Sequence, residues 1–274
     1  MSKTVVITGA GGVLCSAFAV HMAKLGHKVA VLDLNVDAAE QVAEDIRANG
    51  GTAKAYKADV LNKDCLAEIH DAVVKDLGLC DILINGAGGN SPKCTTLHET
   101  FQDGDDSAED FLTFFNLDKA GFQFVFDLNL MGTLLPTQVF SKDMIGRKDC
   151  CILNISSMNA FRPLTKIPAY SAAKSAVSNF TQWLAVHFAE IGIRVNAMAP
   201  GFFVTNQNKG LLFNEDGTPT ARTGKILNAT PMKRFGKPEE LLGTLEFLTD
   251  SEKSAFVTGI VIPVDGGFSA YSGV

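Results

Sequence analysis

Tyr170 and Lys174 stand four residues apart in the stretch Pro168-Ala-Tyr-Ser-Ala-Ala-Lys174, a spacing that puts a phenol and an ammonium side by side on one helix face. A free phenol ionises near pH ~10, too high for a proton shuttle at neutrality, and a neighbouring cation lowers that value by favouring the phenolate. Such a pair can move a proton to or from a substrate oxygen. The helix is well signalled. Pro168 suits its first turn, Ala173, Val177, Phe180, Leu184, Phe188 and Ile191 recur at helical spacing, and Gly192 stops it. Taken alone the pair equally describes a solvated helix face, so its meaning depends on what the other elements bring beside it.

Those elements alternate strand and helix from the N-terminus. Thr4 to Thr8 is an apolar, β-branched run followed by Gly9-Ala-Gly-Gly12 and then Leu14, Phe18, Met22 and Leu25 at helical spacing, which predicts strand, glycine turn, helix. Backbone N–H groups at such a helix start can cradle a pyrophosphate. The full G-x-G-x-x-G pattern is not met, because Leu14 stands where its last glycine belongs. Lys28 to Asp33 predicts a second strand ending in a carboxylate that can bond both ribose hydroxyls and repel a 2′-phosphate. That favours NAD, and no arginine follows to accommodate NADP. Residues 37–49 and 62–77 predict helices, and 52–57 and 81–85 strands, the last running into Asn85-Gly-Ala-Gly88. A helix through Phe122, Val125, Phe126, Leu130, Leu134 and Val139 carries Asn129 near its middle, where a buried amide needs partners. The strand 150–155 runs into Ser156-Ser157, at the sheet edge where open α/β folds bind ligands. A strand at 194–199 ends at Pro200-Gly201, and a helix near 238–248 and a strand at 261–264 complete the pattern. The alternation predicts a doubly wound parallel sheet, a Rossmann-type α/β fold, in one domain spanning 1–274.

Two stretches break this regularity. Residues 89–118 hold Asn90, Pro92, Gly104 and the acidic run Asp103, Asp105, Asp106, Glu109 and Asp110, with spacing unlike a calcium loop, and predict a solvated surface excursion. Residues 202–232 mix Phe202, Phe203 and Leu212 with Gly210, Gly217 and Gly224, which suits a cover closing over a ligand. A net charge of −6 without a long basic run argues against nucleic acid or an anionic membrane surface as partner. No apolar run reaches membrane-spanning length and no signal-peptide pattern opens the chain, so a cytoplasmic protein is expected. The six cysteines lack a Cys-x-x-Cys pair and read as buried, reduced thiols. The histidines show no ligand spacing, so no metal is expected, and His21 and His187 read as core-facing.

Thr8-Gly-x-x-Gly12, Asp33, Asp59, Asn85-x-Ala-Gly88, Asn129, Ser157, Tyr170-x-x-x-Lys174, Pro200-Gly201, Thr205 and Val264-Asp-Gly-Gly267 follow in order over essentially the full chain. In this the protein resembles the short-chain dehydrogenase/reductase family. The resemblance implies that Tyr170 is the general acid/base, that Ser157 bonds the substrate oxygen, and that Lys174 lowers the tyrosine pKa and holds the nicotinamide ribose. Asn129 would anchor a water linking Lys174 to solvent. Cofactor contacts would come from Gly9, Gly12, Val13, Leu14, Asp33, Asp59, Val60, Asn85, Ala87, Gly88, Pro200, Gly201 and Thr205, together with Tyr170 and Lys174. Cys15 departs from the family pattern by replacing a third glycine, which predicts a packing adjustment. Residues 84–90, 156–166 and the C-terminal Gly-Gly-Phe-Ser-Ala-Tyr-Ser-Gly-Val look most like the family's D-mannonate oxidoreductases, which would interconvert D-mannonate and D-fructuronate. A gluconate or polyol dehydrogenase is the alternative, and a non-catalytic dinucleotide sensor a remoter one. A sugar acid needs a cation for its carboxylate and polar groups for its hydroxyls. Candidates are Asn90, Asn159, Arg162, Lys166 and Gln207, with Lys93 and Asn208 beside them. The resemblance also implies a homotetramer.

Overall fold

The computed structural model of the chain describes residues 2–205 and 208–273, so the expected substrate contact Gln207 lies outside the described residues. The aliphatic runs become parallel strands: β1 (Thr4–Thr8), β2 (Lys28–Asp33), β3 (Thr52–Lys57), β4 (Ile82–Asn85), β5 (Cys151–Ile155), β6 (Arg194–Pro200) and β7 (Val261–Val264). They form a seven-stranded sheet in the order β3-β2-β1-β4-β5-β6-β7. The order reverses between β1 and β4, and the crevice at their carboxyl ends is where such sheets bind ligands.

The helices are α1 (Val13–Lys24), α2 (Val36–Ala48), α3 (Lys63–Asp76), α4 (Lys119–Phe126), α5 (Gly132–Phe140), α6 (Pro168–His187), α7 (Lys209–Leu212), α8 (Ala221–Ala229), α9 (Leu242–Thr249) and α10 (Ser251–Ser254). Alternation along the strands divides the core. Val5 and Ile7 pack with Phe18 and Met22 of α1, Val42 and Ile46 of α2, and Leu245 and Leu248 of α9 on one face. Val6, with Ala30 and Leu32, packs with Leu66 and Val73 of α3, Val139 and Phe140 of α5, and Leu184 of α6 on the other. Asparagine side chains start two of these helices: Asn35 accepts from Ala38 N, and Asn62 from Asp64 N and Cys65 N.

Two departures matter for the site. The helix expected through 122–139 is not continuous, because a π turn at Asp127–Met131 separates α4 from α5. Residues 89–118 are not simply a solvated acidic face. Asp105 is buried, accepts hydrogen bonds from His98 Nδ1 (2.8 Å) and Gln102 N (3.1 Å), and Thr113 Oγ1 donates to its carbonyl. Burial raises the Asp105 carboxyl pKa, but these donors outweigh it and hold the group below its ordinary value. The cover is built of α7, a tight turn closed by Gly217 N to Asn214 O, and α8. His187 is exposed and stacks on Trp183 at 4.8 Å, correcting its core-facing assignment, whereas His21 is half-buried beside Glu246. The cysteines are free thiols, all buried but the half-buried Cys65. Among the described residues no helix is long and apolar enough to cross a membrane.

Candidate active site

A cleft of about 660 Å³ opens over the carboxyl ends of the central strands. Its floor at one end is the turn from β1 into α1. Gly9 adopts φ +65°, and a methyl there would sit 2.9 Å from the Ala87 backbone, so only glycine fits. Gly12 precedes α1 with no side-chain cap, and no acidic residue stands in the first turn. The N–H groups of that turn are thus available to an anion rather than to the protein's own side chains. At the end of β2 the Asp33 carboxylate is fixed by two backbone donors, Gly11 N to Oδ2 and Asn35 N to Oδ1, both at 2.9 Å. Asp59, Val60, Ala87, Gly88, Val13, Leu14, Pro200, Gly201 and Thr205 line the same cleft.

The other end carries the reactive groups. Ser157, Tyr170 and Lys174 all line it, Ser157 from the turn after β5 and the other two from α6. The two adjacent serines have different duties. Ser156 Oγ lies 2.7 Å from Ser178 Oγ and donates to Lys174 O, which ties it to α6. Ser157 Oγ accepts from Asn159 N (3.3 Å) and turns its hydroxyl toward the Tyr170 phenol. Lys174 is buried, and its Nζ donates to Ile155 O (2.8 Å) and lies 5.7 Å from the Tyr170 ring centre.

The electrostatics differ from the expectation drawn from spacing. Burial pushes the Tyr170 phenol up, and the Ser157 hydroxyl only partly offsets this, while Lys174 is not among the groups that lower it. The ring is only half-buried, so water in the cleft moderates the rise. Burial pushes Lys174 down from 10.5 to about 8, with Cys15 acting in the opposite sense. Before a ligand enters, Tyr170 therefore holds its proton and Lys174 is the more readily deprotonated of the pair.

Asn129 is fully buried in the π turn. Its Nδ2 donates to Gly89 O and Val125 O, both at 2.7 Å, and its Oδ1 accepts from Gly89 N (3.3 Å). A methyl on Gly88 would meet Asn129 Oδ1 at 2.7 Å and Lys174 Nζ at 3.0 Å, so both groups border one small space behind Gly88. Cys15 is accommodated because Gly86 has no side chain: a methyl there would overlap the Cys15 sulfur. Burial pushes that thiol up to about 12, so it acts as a packing group.

Several expected contacts lie elsewhere. Asn85 does not line the cleft. Its Nδ2 donates to Thr137 Oγ1 (3.0 Å) and Asn154 Oδ1 (2.9 Å), and Asn154 Nδ2 donates in turn to Thr181 Oγ1 (2.9 Å). Among the substrate candidates, Asn90 is exposed and bonded to Thr95, Arg162 donates to the Tyr271 carbonyl, and Lys166 lies outside the cleft lining. Asn159 is buried with its Oδ1 unpartnered. Asn208 does line the cleft, as do Gly11 of the glycine turn and Phe202 and Phe203 of the expected cover; Leu34, Phe124 and Leu128 line it too, where sequence reasoning did not place them. Phe124 and Leu128 had a usable signal, since they fall four apart on one helix face. A smaller hollow of about 370 Å³ between Phe202, Met232 and Asp265 contains none of the Ser157, Tyr170 and Lys174 groups, which puts the chemistry in the larger cleft.

A parallel sheet with a glycine-lined crevice at its reversal point, a fixed carboxylate at one end and a Ser-Tyr-Lys set at the other defines a nucleotide-dependent dehydrogenase site. The chain belongs to the short-chain dehydrogenase family, whose profile matches residues 3–215. It is 60% identical over 273 residues to an uncharacterized oxidoreductase of Haemophilus influenzae, covering 100% of this chain and 95% of that one. It is 53% identical to the uncharacterized oxidoreductase UxuB of Bacillus subtilis, over 99% of this chain and 96% of that one. Among solved structures it is similar to a Haemophilus protein provisionally called a D-mannonate oxidoreductase, crystallised with bound NAD. The TM-score is 0.95 and the identity 61%, over 99% of this chain and 96% of the other.

Proposed function

We propose that the protein is an NAD-dependent oxidoreductase that interconverts the secondary alcohol and ketone of a sugar acid, D-mannonate and D-fructuronate being the pair favoured. The observation that carries the reaction class is the convergence of Ser157, Tyr170 and Lys174 on one end of a cleft whose other end holds Asp33 and the uncapped start of α1. The substrate rests on similarity to the NAD-bound Haemophilus structure. The residues fit NAD: the α1 N-terminus suits a pyrophosphate, and the two-point anchoring of Asp33 fixes a negative charge where a 2′-phosphate would have to sit. When bound, NAD supplies the carrier that takes a hydride from the alcohol carbon and, as NADH, returns it to the ketone.

The chain's own residues handle the oxygen and its proton. Ser157 donates its hydroxyl proton to the substrate oxygen when the substrate enters, and holds that oxygen beside Tyr170. In reduction the raised phenol gives its proton to that oxygen, and in oxidation Tyr170 removes the hydroxyl proton. Lys174, still mostly ammonium at pH 7, holds the nicotinamide ribose beside Tyr170, and Asn129 borders the small space behind Gly88 that Lys174 also faces. We further propose that the homotetramer implied by the family resemblance uses the outer face of α6, where Trp183 and Val186 are 57% and 80% exposed. Light scattering checks that assembly.

Loss of NADH absorbance with D-fructuronate tests the function, and failure to turn over any sugar acid or polyol sinks it. Tyr170→Phe should lower turnover on the order of 100-fold or more while NADH still binds, as read by its fluorescence. Unchanged turnover would remove the tyrosine from its assigned role.

A further inference from the structure

Asn154 and Ile155, the last residues of β5, and Ser156 immediately after them each bond α6, the helix that carries Tyr170 and Lys174. Asn154 Nδ2 donates to Thr181 Oγ1 (2.9 Å), and the Ile155 carbonyl accepts from Lys174 Nζ (2.8 Å). Ser156 Oγ donates to Lys174 O (3.2 Å) and stands 2.7 Å from Ser178 Oγ, so Ser178 supplies the proton of that second bond. Strand side chains alternate between faces, which turns residues 154 and 156 to the same side, and residues 174, 178 and 181 share one stripe of the helix. The row continues away from α6. Asn154 Oδ1 accepts from Asn85 Nδ2 (2.9 Å), which also bonds Thr137 of α5. Asn154, Ser156 and Thr181 are all buried, where polar groups are costly unless paired.

Apolar packing holds α6 firmly only at its far end, where Leu184 and Ala185 join the core on that face of the sheet. Beside the chemistry its buried apolar residues are Ala169, Ala173 and Val177, which offer little shape to interlock. Hydrogen bonds fix both distance and direction there. On a helix about 10–12 Å across, a rotation of about 10° about the axis moves a side-chain tip by about 1 Å. A displacement of that size can cost on the order of 100-fold in rate. We propose that Ser156 is a positioning residue: through the Lys174 carbonyl and Ser178 it fixes the rotation of α6, with Asn154 as the second bonded point, and so keeps Tyr170 set against Ser157. One point alone would let the helix pivot. The adjacent serines thus divide the work, Ser157 facing the reacting oxygen and Ser156 the helix. The inference rests on the dehydrogenase reading and adds the residue that aligns its proton donor.

Ser156→Ala tests this without stranding a buried polar group, because Ser178 can turn its hydroxyl back onto the Lys174 carbonyl. Turnover of D-fructuronate should fall about tenfold to 100-fold, while NADH affinity, read by fluorescence, and KM for the acid stay within about twofold of wild type. Amide hydrogen exchange reads the helix without substrate: protection over 168–178 should fall about tenfold in the variant. Thr181→Val removes the acceptor of Asn154 and should lower turnover in the same way. The half-buried Ser178→Ala is the second variant should Ser156→Ala misfold. Ile69→Val in the α3 core is the control for stability, lowering the melting temperature with turnover kept. Unchanged turnover, a loss carried by KM, a loss that Ile69→Val reproduces, or unchanged exchange over 168–178 overturns the inference. Wild-type enzyme inert towards every sugar acid sinks the substrate reading alone, because the exchange comparison still stands.

Discussion

Replacing Lys174 by methionine tests whether a buried ammonium is as costly to the fold as it is necessary to the chemistry. Lys174 is 4% exposed, and burial lowers it from 10.5 to about 8. At about 1.4 kcal/mol per tenfold change, keeping that charge at pH 7 costs the fold roughly 3 kcal/mol. The folded value of this basic group lies below the unfolded one, so between pH 8 and 10.5 the unfolded chain binds more protons. Stability therefore rises with pH across that window, and about 2 kcal/mol of the cost disappears between pH 7 and 9.5. Methionine keeps the stem and removes the charge, but leaves the Ile155 carbonyl without its donor, a loss of about 1–3 kcal/mol. At pH 7 Lys174→Met should be inactive and between equal in stability and about 2 kcal/mol more stable than wild type. Relative to wild type it should lose about 2 kcal/mol by pH 9.5. Paired urea titrations at the two pH values measure this. A stability difference that stays constant, or moves in the variant's favour at alkaline pH, refutes the buried charge.

Other expectations follow from single contacts. Gly88→Ala pushes a methyl between Asn129 Oδ1 and Lys174 Nζ, so turnover should drop on the order of 100-fold with the fold retained by circular dichroism; near-normal turnover would show that space to be idle. His70 is pulled down by burial, but its bonds to Asp143 (2.8 Å) and Asp71 (3.2 Å) outweigh this and raise it. That stabilisation is fully present below pH 6.5 and is lost as pH rises through the folded value. His70→Gln should therefore cost more stability at pH 5.5 than at pH 8 by urea titration, and an equal loss at both would contradict the pairing.

The strands were the most legible part of the chain, since runs such as Thr4–Thr8 and Lys28–Asp33 must be buried on both faces and glycines bound them. The reactive set was legible because helical spacing and position at a strand's carboxyl end are properties of the chain itself. Side-chain direction is not. Asn85 sits at the right place in sequence but turns into a polar ladder with Asn154 and Thr137. Spacing also made Lys174 a neighbour of Tyr170 without revealing how dry that neighbourhood is, and dryness decides both pKa shifts. Asp105 looked like one more solvated acid because its partner His98 and the Gln102 N–H are assembled only by the folded loop.

The π turn at Asp127–Met131 also constrains how the gene can change. Each residue added to or removed from a helix rotates everything beyond it by about 100°. Phe124 and Leu128 face the cleft before and within the turn, while Thr137 beyond it bonds Asn85 beneath the sheet edge. A one-residue deletion that relaxed the turn into regular helix would keep every chemical group and misalign one set against the other. Substitutions elsewhere on this helix can be absorbed locally, but its length is locked, and insertions that enlarge the substrate end are better accommodated in the loop at 89–118.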